Sequence, residues 1–101
     1  MKGLKCGGKM YVILMYDIPS EKGGARVQRN VFKICKKYLF HIQLSVFEGE
    51  ISKVQLQQLK NEIEEFIRKD MDSVIVFKSR DKKWLEKDFY GKIDEVTDNF
   101  I

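Results

Sequence analysis

The stretch Tyr11-Val12-Ile13-Leu14-Met15-Tyr16-Asp17-Ile18-Pro19 decides how the rest of this chain is read. Six apolar residues in succession, rich in aromatic and β-branched types, predict a short strand buried on both faces rather than a helix. Asp17 ends the run and Pro19 begins a loop, loosened by Gly23 and Gly24.

Downstream the period changes. Val27, Val31, Ile34, Cys35 and Tyr38 recur at helical spacing, which predicts a helix over 26–38 with one apolar stripe. Arg26, Arg29, Lys33, Lys36 and Lys37 fall on its opposite side with no acid among them. From Phe40 to Glu48 the period becomes two: Ile42, Leu44 and Val46 alternate with His41, Gln43 and Ser45, the second set forming a wet face. No turn dipeptide divides this segment, so one bent strand and two short ones are both compatible with it. Ser52 with Gln55 reads as a capping box opening a second helix. Leu56, Leu59, Ile63, Phe66 and Ile67 mark its buried side, and Glu62, Glu64 and Glu65 lie on the rest. Asp70 to Asp72 turn the chain, and Ser73 to Lys78 reads as another strand. A tail over 79–101 holds Trp84, Phe89, Ile93, Val96, Phe100 and Ile101, with a short edge strand expected over Lys92 to Val96.

Strand, helix, strand or strands, helix, strand is the split β-α-β order of an α+β, ferredoxin-like βαββαβ sandwich. Two helices cover one face of such a sheet, yet the strands are apolar on both. The expectation is a symmetric homodimer packed through the sheets, with the C-terminal tail crossing to the partner. Residues 10–78 form the core, and residues 1–9 an N-terminal extension without order, with Met10 a candidate natural start.

The chain has 101 residues, the size of one domain, with 44 % hydrophobic and 34 % charged residues, which argues against disorder. Net charge is +4, but with Lys2, Lys5 and Lys9 set aside, 16 of the 19 basic residues remain against 15 acidic ones. The placement of charge, not its total, is therefore informative. Cys6 and Cys35 have neither disulfide nor zinc spacing, and Cys35 is expected to pack as a reduced apolar side chain. The apolar run after the basic start is too short for a secretion signal or a membrane span, so a cytoplasmic protein without membrane contact is expected.

Asp17 stands at the carboxyl end of a buried strand, on a rigid mount. Its plain alternative is a turn aspartate bonding the loop backbone. One aspartate cannot hold a metal alone, but Mg2+ takes one or two carboxylates with waters and substrate phosphates. A two-fold axis that paired two copies of Asp17 would supply them. The basic stripe, doubled by the same axis, would track phosphates without reading sequence; its alternative is a solvated face. His41 alone reads as a hydrogen-bonded polar residue, and Phe47 as dimer core before a base-stacking platform.

Two segments together are familiar. Tyr16-Asp17-Ile18 after the first strand, and Gln43-Leu44-Ser45-Val46-Phe47-Glu48-Gly49 after the first helix, resemble the two signatures of the CRISPR-associated protein two family. Ser73 to Phe77 resembles its later strand, and Asp98-Asn99-Phe100-Ile101 its tails. The resemblance implies a ferredoxin-like homodimer with Mg2+-dependent endonuclease activity, on single-stranded RNA or duplex DNA. It also implies a platform in spacer acquisition that bridges the integrase and holds incoming DNA. Asp17 matches the family's metal aspartate, with Mg2+ or another divalent ion such as Mn2+ shared between two copies. Tyr16 and Phe47 match positions linked to activity, and Arg26 a functional arginine. Gly24 and His41 stand where some members carry arginines. Taken with the basic stripe, the expected nucleic-acid contacts are Tyr16, Arg26, Arg29, Lys33, Lys37, His41, Ser45 and Phe47. The alternative is a nucleic-acid-binding ferredoxin-like module without catalysis.

Overall fold

The computed structural model describes residues 8–80. Its elements are β1 (Lys9–Asp17), a short 3-10 turn (Glu21–Gly23), α1 (Gly24–Tyr38), β2 (Phe40–Gln43), β3 (Val46–Ser52), α2 (Lys53–Glu64) and β4 (Ser73–Ser79). The strands form one antiparallel sheet in the order β2-β3-β1-β4. That order, with both helices packed on the same core, is the ferredoxin-like arrangement. Lys9 already belongs to β1 and Ser79 to β4, so the strands reach one residue beyond 10–78 at each end. Residues 1–7 of the expected N-terminal extension and the tail from Asp81 onward, with the expected edge strand and Trp84, lie outside the described residues.

Strand alternation puts Val12 and Leu14 on the helix side, opposite Gly49 and Phe47 of β3. They meet Val31, Ile34 and Cys35 of α1 and Leu59 and Ile63 of α2 in one buried cluster. The stripe of α1 holds as read, and so do Leu56, Leu59 and Ile63 of α2; Phe66 does not, because α2 ends at Glu64 and the chain beyond it leaves Phe66 exposed while Ile67 still packs on the core. Cys35 is free and buried, and burial pushes its thiol up to about 12, so it stays protonated and inert. The Ser52–Gln55 capping box forms in both directions, with bonds of 3.0 and 3.1 Å.

The second sheet face is apolar along β1 and β4, as expected, but not along β3, which puts Glu48 and Glu50 opposite Ile13 and Tyr11. Ile13 pairs with Phe77 and Met15 with Ile75 across β1 and β4, and Phe77 and Ile75 are 51 % and 50 % exposed. Near the start of β1, Tyr11 and Glu48 on this face are buried instead, and the Tyr11 hydroxyl donates to the Glu48 carboxylate.

The Phe40–Glu48 segment resolves into two strands. Leu44 and Ser45 make the turn, and Leu44 takes a positive φ of 46°. Glycine is the usual residue for that conformation, which is why no turn was visible in the sequence. The simple alternation fails here. Leu44 is 83 % exposed at the tip instead of facing the core. The register shifts between His41 and Gln43, and His41 pairs with Phe47.

Candidate nucleic-acid interface at the end of β1

β1 delivers Tyr16 and Asp17 to the rim of the sheet, where the β2–β3 turn and the first half of α1 also arrive. The three elements enclose an open groove of about 550 Å³. Tyr16, Asp17, Arg29, Lys33 and Ser45 all line it. Five of the expected site residues, drawn from three elements, thus meet in one place. Asp17 is exposed and, among the described residues, is the only carboxylate that lines the groove. Arg29 and Lys33 lie one turn apart on α1, both exposed, so they present two cations along one edge of the groove. Tyr16 is half-buried, its ring stacked on Phe47 at 6.1 Å between centroids and 23° between planes. Burial, with a smaller contribution from Cys35, pushes its phenol up to about 12, so it remains a hydrogen-bond donor at neutral pH.

The other expected contacts sit elsewhere. Arg26 is exposed on α1 but does not line the groove. Lys37 is exposed but turns to α2 and pairs with Glu62. The second oxygen of Glu62 accepts the Tyr38 hydroxyl at 2.5 Å. The pairing raises the Lys37 ammonium and lowers the Glu62 carboxyl from their ordinary values. The basic face is therefore unmixed only up to Lys33; beyond it Glu62 of α2 meets Lys37, which separate helical wheels could not reveal. Phe47 requires a further correction. It is fully buried within the single chain, edge-on to Phe32 at 5.3 Å and beside His41 at 5.0 Å. It offers no surface to a base or to a second chain and acts as the floor beneath Tyr16. His41 is likewise packed, against Phe32 at 4.9 Å, with Nε2 held 2.9 Å from the Leu44 carbonyl oxygen.

Some site residues were not singled out from the sequence. Gln28 and Phe32 line the groove from α1, and Leu44 from the hairpin tip. The Gln28 side-chain amide donates to the Ile18 carbonyl. Gly24 has a steric reason for being glycine: a Cβ there would stand 1.6 Å from the Pro19 carbonyl oxygen. No arginine fits that position while the loop keeps this path. Arg68 and Asp72, from the connection after α2, brace the same loop. Among the described residues no three His, Cys, Asp or Glu side chains cluster in a way that would hold a metal.

The fold and the groove define a class: a small ferredoxin-like α+β domain with a lone strand-end carboxylate facing a basic helix. Within that class the chain belongs to the family of CRISPR associated protein Cas2, whose model matches residues 10–87. A relative from Fusobacterium nucleatum subsp. nucleatum, named CRISPR-associated endoribonuclease Cas2, is 54 % identical over 98 residues, 96 % of this chain and 92 % of its own. A crystal structure of a Cas2 superposes with a TM-score of 0.72 at 39 % identity, covering 86 % of this chain and 92 % of that one. The crystal structure of Streptococcus pyogenes Cas2 gives 0.62 at 28 % identity, over 66 % of this chain and 82 % of its own.

Proposed function

We propose that this chain is a cytoplasmic CRISPR endonuclease subunit that works on nucleic acid as a homodimer. The reaction is hydrolysis of a phosphodiester in single-stranded RNA or duplex DNA. In the same assembly the dimer holds duplex DNA for spacer acquisition and bridges the spacer integrase. The observation that carries the reading is the convergence of Asp17 with Arg29 and Lys33 on one groove. The endoribonuclease name of the 54 % identical relative supports the reaction class.

Among the described residues one chain supplies one carboxylate to the groove, and a second copy bringing its own Asp17 would complete a two-carboxylate site of the kind that suits Mg2+ or Mn2+ with waters and substrate phosphates. The half-exposed Ile75 and Phe77 favour such a dimer through the second sheet face, since apolar area of this kind is stabilised by burial. The bound ion would polarise the phosphate and activate a water. The chain's own residues do the rest. Arg29 and Lys33 neutralise the phosphates and hold the strand. The Tyr16 phenol, protonated at neutral pH, donates a hydrogen bond. Asp17 fixes the reacting centre from a rigid strand end.

Asp17→Asn tests the reading. The variant should lose Mg2+-dependent cleavage and the Mg2+-dependent rise in melting temperature together, while keeping duplex binding. It should also keep a sedimenting mass about twice 11.9 kDa. An identical Mg2+ response in variant and wild type would leave Asp17 a turn residue. A module that binds without cutting is the second reading, favoured by the single carboxylate in the groove. It requires cleavage to be absent from the wild type.

A further inference from the structure

The chain between Asp17 and α1 is held locally at its two ends, by the Gln28 amide on the Ile18 carbonyl and by the Gly24 N–H on the Ser20 carbonyl at 3.1 Å, but not between them. Lys22 and Gly23 both take positive φ, 54° and 85°, the Ser20 side chain makes no cap, and Gly23 has no side chain to make one. Much of the hold comes from far along the sequence. One Arg68 nitrogen, Nη1, donates to the carbonyl oxygens of Glu21 at 2.7 Å and Lys22 at 3.0 Å. Nη2 donates to the Pro19 carbonyl at 2.9 Å. The other edge of the guanidinium is fixed by Asp72, through Nε to Oδ2 at 3.0 Å and Nη2 to Oδ1 at 2.8 Å. The Asp72 side chain is wholly buried and also accepts the Arg68 backbone N–H at 2.7 Å.

A guanidinium has five N–H donors in a fixed planar fork. Five donations are accounted for here, three to the loop and two to Asp72, which leaves none for a phosphate. Arg68 is therefore suited to hold the loop rather than to bind a ligand. The loop it holds joins Asp17 on β1 to Arg29 and Lys33 on α1. A lysine would keep the charge but not the fork.

We propose that Arg68, oriented by Asp72, is a positioning residue for the Asp17 site. It sets the path of residues 19–22 and thereby the placement of the carboxylate relative to the two cations of α1. This rests on the reading of Asp17 as the cleaving site's carboxylate. Arg29 and Lys33 stay on α1 whatever the loop does, so substrate binding should survive loss of the clamp. The chemistry should not, because a misplacement of about 1 Å costs about 100-fold.

The test compares wild type, Arg68→Lys and Arg68→Ala in Mg2+-dependent cleavage and in amide exchange. Both variants should lose kcat by about 100-fold with KM nearly constant. Exchange should accelerate over residues 18–25 and stay slow in the sheet. Millimolar guanidinium, but not ammonium at equal ionic strength, should restore kcat to Arg68→Ala. Arg68→Lys keeps the charge, so it serves if the alanine variant does not fold. Unchanged kcat with a loosened loop would overturn the proposal, as would a fall in kcat with the loop still protected or without guanidinium rescue. If the wild type shows no Asp17-dependent cleavage, the nuclease reading fails and the positioning role fails with it. The exchange data would then still decide whether Arg68 anchors the loop.

Discussion

The backbone N–H of Tyr16 donates to the carbonyl oxygen of Ser45 at 3.1 Å, one residue before Asp17. This bond fastens the tip of the β2–β3 hairpin to the end of β1. The same turn is held from inside by His41, whose Nε2 lies 2.9 Å from the Leu44 carbonyl oxygen. A non-glycine residue at positive φ costs of order 1–3 kcal/mol, and these two contacts help offset it. The groove is thus walled by a strand end, a braced turn and a helix, which is the kind of mount that keeps functional groups in register.

Charge reversal on the groove wall should weaken nucleic-acid binding without regard to sequence. Arg29→Glu and Lys33→Glu each remove a phosphate contact, so the salt dependence of duplex affinity should fall by about 0.9 in slope per site. Lys37→Glu should matter less, because Lys37 is already paired with Glu62. Anisotropy titrations over a range of salt, on unrelated duplexes, make the comparison. Equal effects at Lys33 and Lys37 would count against the groove as the contact surface.

Phe47→Ala should act through the core. Phe47 is fully buried beneath Tyr16, and removing a buried phenylalanine ring costs about 3–5 kcal/mol. That is a large part of the stability of a domain this size, so denaturant melts should show a large shift in midpoint. Phe47→Leu keeps apolar volume and should fold with a smaller loss. If it binds nucleic acid as the wild type does, the role of Phe47 is support, as its burial indicates. A strong binding defect in a well-folded Phe47→Leu would contradict that assignment.

Acid should expose the clamp. The Arg68 side chain, ahead of any other influence, holds the Asp72 carboxyl below its ordinary value of 3.8. A carboxyl depressed in the folded state stabilises the fold above its unfolded pKa, and that contribution is lost as pH falls through the folded pKa. The wild-type melting temperature should therefore drop more steeply below about pH 4 than that of Asp72→Asn. Near neutral pH the variant should be the less stable of the two. Parallel pH profiles would show that the pair contributes nothing to acid sensitivity.

Much of the architecture was legible because it is written in local patterns. The unbroken run before Asp17, the stripe through Val31 and Ile34, and the Ser52–Gln55 box each lie within one element. Asp17, Tyr16, Arg29, Lys33 and Ser45 stand out in the sequence by residue type and position, and all line the groove. The hairpin tip was not legible, because Leu44 occupies a conformation that ordinarily calls for glycine. Phe47 was misassigned for a related reason. Alternation counted from Phe40 runs through a register shift at His41, and past it the counting no longer says which face a side chain takes.

From sequence alone came the order of elements, the apolar and basic sides of α1, and the carboxylate at the end of β1. These follow from periodicity and chain termination, which act over a few neighbouring residues. Tertiary structure alone decided that Lys37 turns to Glu62, that Gly24 presses on the Pro19 carbonyl, and that Arg68 braces the loop after Asp17. Arg68 and Pro19 are 49 residues apart. No local pattern encodes such a contact: it exists only because the sheet brings the ends of β1 and α2 to the same rim, where an unpaired carbonyl and a buried carboxylate each need a donor.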